Sequence, residues 1–261
     1  MTGRVVMTGL LSAVWVAITL AFLQVTGPDW GIYPPATCLG THCFCELPRT
    51  GDLLLQPANS WSSFGFVVVG SWIMLGAATR PGRALSGIAA MWLGFTAIVI
   101  GAGSALLHAS LTLWGQFADV LGMYLLGAFI LTWALMRWRG LSGRTAIAVY
   151  LVVAGGLIAS LWLWPESRRW LFAVLLLVSI AAEWFGARPH RRGVAGRYFL
   201  LGLAANTLAF AIWILDQTRV VCAPESLMQG HAAWHLLGAV AVALSYAYYR
   251  SEEEPGRAVG R

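Results

Sequence analysis

Three histidines, an aspartate and a serine stand out in an otherwise apolar chain because their spacing could build a metal centre. Ser104 and His108 lie four residues apart within the stretch Gly101 to Asp119, so on a helix they share one face, about one turn from each other. Asp119 follows eleven residues after His108, beyond a short break expected at Thr112 to Gln116. Far downstream, His231 and His235 repeat the i, i+4 spacing, which lets two imidazoles on one helix reach one ion. Zinc held by three protein ligands keeps a fourth position for water, lowers the pKa of that water and polarises a carbonyl. Next to such an ion a carboxylate can accept the water's proton and later hand it to a leaving group. A hydroxyl can donate a hydrogen bond to the oxyanion. Asp119 and Ser104 suit these two tasks, and the chemistry allowed is metal-assisted hydrolysis of an amide or ester.

Each residue also has a plainer explanation. A lone histidine at a membrane edge is usually a packing or interfacial residue, although ionisable groups inside a bilayer are functional candidates by default. Asp119 could cap a helix that begins near it. Ser104, among Gly101, Ala102, Gly103 and Ala105, could be a small residue at a helix contact. The Cys38, Cys43 and Cys45 cluster with His42 could bind zinc, but its spacing matches no common structural site. Glu183 is expected near an inner helix end, snorkelling or paired with an arginine.

The elements that must position these groups are membrane helices. Of the 261 residues, 59% are hydrophobic and 11% charged, against roughly a quarter charged in soluble domains. The formal charge of +6 comes entirely from arginine, since the chain has no lysine. The arginines sit in short gaps between apolar runs, where they set topology rather than bind nucleic acid; no nucleic-acid or protein partner is expected. Eight apolar runs, at roughly 5–24, 58–78, 86–108, 116–136, 145–164, 170–187, 197–215 and 231–249, approach the length of a membrane span. The expected fold is therefore an all-α polytopic membrane helix bundle. Its parts are an N-terminal transmembrane helix at 1–26, an extracytoplasmic Cys-containing loop at 27–57, a bundle at 58–250 and a cytoplasmic tail at 251–261. The first run could serve as a signal anchor; it is long and no A-x-A cleavage pattern follows it. Trp61, Trp72, Trp114, Trp162, Trp164 and Trp170 fall near expected helix ends, as in an aromatic belt.

With the N-terminus in the cytoplasm, 13 arginines fall on the inner side and 4 (Arg49, Arg168, Arg169 and Arg219) on the outer side. Cys38, Cys43, Cys45 and Cys222 all fall on the arginine-poor side, where an oxidising compartment permits disulfides. Ser104, His108, Asp119, His231 and His235 then all lie in the outer half of one bundle. A lipid approaching sideways from the outer leaflet is the expected substrate.

Several motifs together resemble the alkaline ceramidases, seven-helix membrane zinc amidases, and more distantly the progestin and adiponectin receptors. They are Ser104-x3-His108-x10-Asp119, His231-x3-His235 with Gln229 and Trp234 around it, Cys45-Glu46, Pro57-Ala58-Asn59-Ser60-Trp61, and Trp213-x2-Asp216 ahead of Cys222, spanning about residues 45 to 240. The resemblance implies a seven-helix core preceded here by one extra N-terminal helix. It implies zinc (Zn2+) on His108, His231 and His235, Asp119 and Ser104 in the catalytic roles above, and a membrane lipid substrate, ceramide or a related N-acyl lipid. It further implies a disulfide from Cys45 to Cys222, which leaves Cys38 and Cys43 to pair together. Family members also carry a calcium (Ca2+) site ahead of the first matching helix. Here only Glu46 and Asn59 answer to it, while Cys43 and Gln56 stand where carboxylates would be expected, so that site is incomplete. A lipid-binding receptor or sensor with the same metal-site fold is the alternative, although a pure binder needs neither Ser104 nor Asp119. A transporter is a weaker alternative, since no inverted repeat is visible.

Overall fold

A chain this apolar can satisfy its backbone in a bilayer only through helices or a closed barrel, and it forms helices. The computed structural model describes residues 2–41, 43–79, 85 and 87–252; His42, Arg80, Arg83, Arg257 and Arg261 lie outside the described residues. Within them run eight α-helices: α1 (Thr2–Thr26), α2 (Pro57–Thr79), α3 (Gly87–Ser110), α4 (Leu113–Arg139), α5 (Gly143–Leu163), α6 (Arg168–Ala181), α7 (Gly196–Gln217) and α8 (Gly230–Ser251). No strand occurs among the described residues beyond an isolated bridge between Pro35 and Thr112. The protein is an all-α multi-pass membrane bundle.

Seven segments are both long and apolar enough to cross a membrane: α1 to α5, α7, and α6 taken together with its flanking turns over Pro165–His190. The eighth differs from expectation in composition: α8 has 22 residues, about 33 Å at 1.5 Å per residue, but His231, His235, three tyrosines and Arg250 dilute its apolar character. Its packing nevertheless carries it the length of the bundle. It lies against α7 and α2. At its far end the Arg250 guanidinium donates to the Gly76 carbonyl near the end of α2. Arg4, at the start of α1, donates to the Trp72 carbonyl on the same part of α2 at 2.8 Å. The two ends of the described chain therefore meet at one end of the bundle.

The turn between α3 and α4 is tighter than the sequence implied. The break is Leu111–Thr112, not Thr112 to Gln116. Leu111 takes a left-handed conformation (φ 50°), and Thr112 caps α4 by accepting from the Gly115 amide at 3.2 Å. Gly115 lies inside α4, where a Cβ would come within 2.8 Å of the Ser110 hydroxyl oxygen. Gly103 lies directly against the Ala118 carbonyl, and a Cβ at Gly122 would sit 2.6 Å from the Ile100 nitrogen. Small residues thus let the α3 and α4 backbones touch, and this contact lays Asp119 beside Ser104.

The opposite end is held by buried charge. After α6 the chain makes a π-helical turn, Ala182–Ala187, which turns Glu183 inward. Glu183 accepts from Arg137 of α4 at 2.6 and 2.7 Å and from the Tyr248 hydroxyl of α8 at 2.7 Å. Arg137 also pairs with Glu252, just past α8, at 2.6 Å. The pairing expected for Glu183 is therefore with Arg137. Removing one member of such a buried set leaves an uncompensated charge, a loss of about 3–5 kcal/mol.

Candidate metal centre

All three histidines converge at the other end of the bundle. His108 stands in the last turn of α3, and His231 and His235 occupy the first two turns of α8. Their candidate ligand atoms all lie within 4.8 Å of one another, and all three side chains are buried. Ring centroids are 4.8 Å apart for His108 and His231, 5.1 Å for His108 and His235, and 4.5 Å for His231 and His235.

Ser104 and Asp119 complete the cluster. The Ser104 hydroxyl lies 3.1 Å from His235 Nε2, and the Asp119 side chain lies beside it. Asp119 is not a helix cap, because Thr112 fills that position seven residues earlier. Nor is Ser104 merely a small residue at a helix contact, since its oxygen lies beside a ligand candidate and a carboxylate.

A second layer holds the imidazoles in place. His235 Nδ1 lies 2.9 Å from the Ser62 hydroxyl and 3.3 Å from that of Ser63. His108 Nδ1 lies 2.8 Å from Gln56 Oε1. The Asp216 carboxylate accepts from the His231 amide at 3.1 Å and from the Cys45 amide at 3.2 Å, tying the start of α8 to the long loop. None of Gln56, Ser62 and Ser63 was singled out for the metal centre from sequence, and Asp216 was noticed only as part of a family motif.

The long loop covers the site from its open end. Disulfides join Cys38 to Cys43 and Cys45 to Cys222. Phe44, held between these two bonds, packs its ring 4.5 Å from that of His108 and 4.3 Å from that of His231. The only sequence signal for this was an aromatic residue flanked by cysteines. Glu46, two residues further, is occupied as a cap: its two oxygens accept from the Ala58 backbone amide at 2.7 Å and the Asn59 backbone amide at 2.9 Å, at the N-terminus of α2. Burial pushes the Glu46 carboxyl above its usual range, and the Asn59 and Ala58 amides pull it back. Asn59 is fully buried, and its side-chain amide nitrogen and oxygen have no hydrogen-bond partner among the described residues.

The donor set suits a metal ion. His108 Nε2 and His231 Nδ1 are buried without a hydrogen-bond partner, a costly state for polar atoms. An ion ligated by three imidazoles would satisfy both, and imidazole nitrogen is a preferred ligand of zinc.

Residues 55–254 match the family model described as Ceramidase. The chain belongs to the ceramidase family. Membership makes it a membrane amide hydrolase that acts on a lipid, and the matched region runs from the start of α2 to the end of α8. The family's region holds Ser104, His108, Asp119, His231 and His235; α1 and the segment with Phe44 and Glu46 lie outside it. No curated protein matches the chain.

Proposed function

We propose that the protein is a zinc-dependent amidase that cleaves the amide bond of ceramide or a related N-acyl lipid and releases a fatty acid. The observation that carries this is the convergence of three buried imidazoles on one point, with a hydroxyl and a carboxylate alongside, in a member of the ceramidase family. His108, His231 and His235 would hold the ion. When bound, zinc supplies Lewis-acid polarisation of the carbonyl and makes water acidic enough to attack at neutral pH.

The chain's own residues supply the remaining functions. Asp119 accepts a proton from the attacking water and returns it to the amide nitrogen as the C–N bond breaks, leaving an amine and a fatty acid. Ser104 donates a hydrogen bond from its hydroxyl to the oxyanion of the tetrahedral intermediate. Gln56, Ser62 and Ser63 orient the imidazoles, and Phe44 with its flanking disulfides keeps bulk water from the outer end. Access from the side fits the packing: among the described residues α7 packs on α8, whereas no extensive contact joins α6 to α7. The outer ends of α6 and α7 are bridged by Arg169, whose guanidinium lies 5.7 Å from the Trp213 ring centroid.

Purified protein should contain about one equivalent of zinc and release fatty acid from ceramide or another N-acyl lipid in a panel. Chelation should abolish that release, and added zinc should restore it. Absence of hydrolysis across the panel by fully zinc-loaded protein would favour a receptor instead.

The orientation is part of the same proposal. The site faces the extracytoplasmic side and both termini are cytoplasmic, supported by the arginine asymmetry and by the disulfides at the histidine end. Reporter fusions at the two termini should give a cytoplasmic signal, and an insertion in the 27–57 loop an external one. A cytoplasmic signal from that loop inverts the assignment.

A further inference from the structure

Gln56 lies just before α2 and is 2% exposed, and each of its hydrogen-bonding groups has an assigned partner. Its backbone amide donates to the His108 carbonyl at 3.0 Å, and its carbonyl accepts from the Ser60 amide and hydroxyl at 2.9 and 2.8 Å. The side-chain nitrogen donates to the Glu46 carbonyl at 2.7 Å. A carbonyl can only accept, so the amide group of Gln56 cannot be flipped, and the atom it presents to His108 Nδ1 at 2.8 Å must be the oxygen. An oxygen acceptor requires a proton on Nδ1. In neutral imidazole the lone pair is then on Nε2, the His108 atom that is buried without a partner.

The same proton count holds at His235. The hydroxyls of Ser62 and Ser63 donate to the Asn59 carbonyl at 3.0 and 2.7 Å, so toward His235 Nδ1 their oxygens accept. His235 therefore also carries its proton on Nδ1 and offers Nε2 to the centre.

From this geometry we infer that Gln56 is a positioning residue of the metal centre: anchored by the Glu46 carbonyl, it sets the tautomer and ring orientation of His108 so that Nε2 faces the ion. The inference rests on the proposed zinc site. It also gives the capped Glu46 segment a task, since the Glu46 carboxylate caps α2 while its backbone carbonyl fixes the Gln56 amide. Partners of this kind typically change metal affinity by about 10–100-fold.

The test compares zinc retention by the purified, zinc-loaded full chain against a graded series of chelators. Gln56→Leu keeps the approximate bulk but cannot accept from Nδ1, and should weaken zinc binding by about 10–100-fold. Gln56→Glu keeps an acceptor at Nδ1 and should hold zinc within a few-fold of the parent. The parent labelled with 15N-histidine should show His108 protonated at Nδ1, assigned by difference from His108→Asn. If the parent holds no zinc, the proposed function falls and this inference with it. If the parent holds zinc and Gln56→Leu holds it equally well, or if Gln56→Glu loses it as readily as Gln56→Leu, this inference alone is wrong. Should Gln56→Leu fail to fold, a His108 Nδ1 without a proton in the parent overturns it.

Discussion

His231→Ala should lose both zinc and hydrolysis. The three imidazoles lie within 4.8 Å of one another, and among the described residues no other group of three metal-ligating side chains clusters this way, so the ion would have only two histidines left. Zinc sites that keep an open position for water depend on all three protein ligands. The expected result is less than one tenth of the parent's zinc equivalent after dialysis, an order-of-magnitude figure for a site reduced to two ligands. Fatty-acid release should fall to background. Residue 231 begins α8 and its backbone amide remains bonded to Asp216, so the variant should still insert and fold. A full equivalent of zinc in purified His231→Ala would remove this residue from the ligand set.

Asp119→Asn should separate metal binding from turnover. The histidines are untouched, so zinc should stay near one equivalent, while kcat should fall by about 100-fold or more, the usual scale for lost acid–base catalysis. The amide is close in shape and can still sit beside Ser104, which limits structural loss. Ser104→Ala should likewise keep the ion and lose about 2.7–4 kcal/mol of transition-state stabilisation if its hydroxyl faces the oxyanion. Had Asp119 been a cap, the substitution would cost about 1 kcal/mol of stability and leave turnover intact. Zinc content and hydrolysis measured side by side on both variants distinguish these outcomes, and parent-like turnover by Asp119→Asn would refute its role as the proton carrier.

The histidines, Ser104 and Asp119 were legible because ionisable or polar residues are rare in this chain and helical spacing makes their faces predictable. Gln56 and Phe44 were not, because their roles depend on how the long loop folds over the tip of α3. That path is fixed by contacts between distant parts of the sequence, such as Cys45 with Cys222 and the Gln56 amide with the His108 carbonyl. The break was placed too late in the chain, at Thr112 to Gln116, where Gly115 lies inside α4 and permits close helix packing. Trp114 was assigned to the membrane belt by its position. It also packs edge-on against Phe22 and Tyr33, with ring centroids 5.6 and 6.0 Å away, holding α1 and the loop against the start of α4. Helix α8 was counted as a span because the run at 231–249 approaches the needed length, although its polar residues make it the least apolar of the eight.

The buried charges at the end of the bundle opposite the histidines bear on the metal centre from afar. Helix α8 carries two of the three imidazoles at one end, and Tyr248 and Glu252 lock its other end to Glu183 and Arg137. His235 and Glu252 are about 25 Å apart along the axis at 1.5 Å per residue. A helix gripped at both ends cannot slide or screw: advancing by a single residue would turn each imidazole by about 100° and shift it by 1.5 Å. The ion-pair cluster thus acts as a distant gauge block, setting the phase of α8 so that His231 and His235 arrive at the height of His108. Arg137→Met belongs with the active-site variants for this reason, as damage at one end of the bundle would be read out at the other as lost metal.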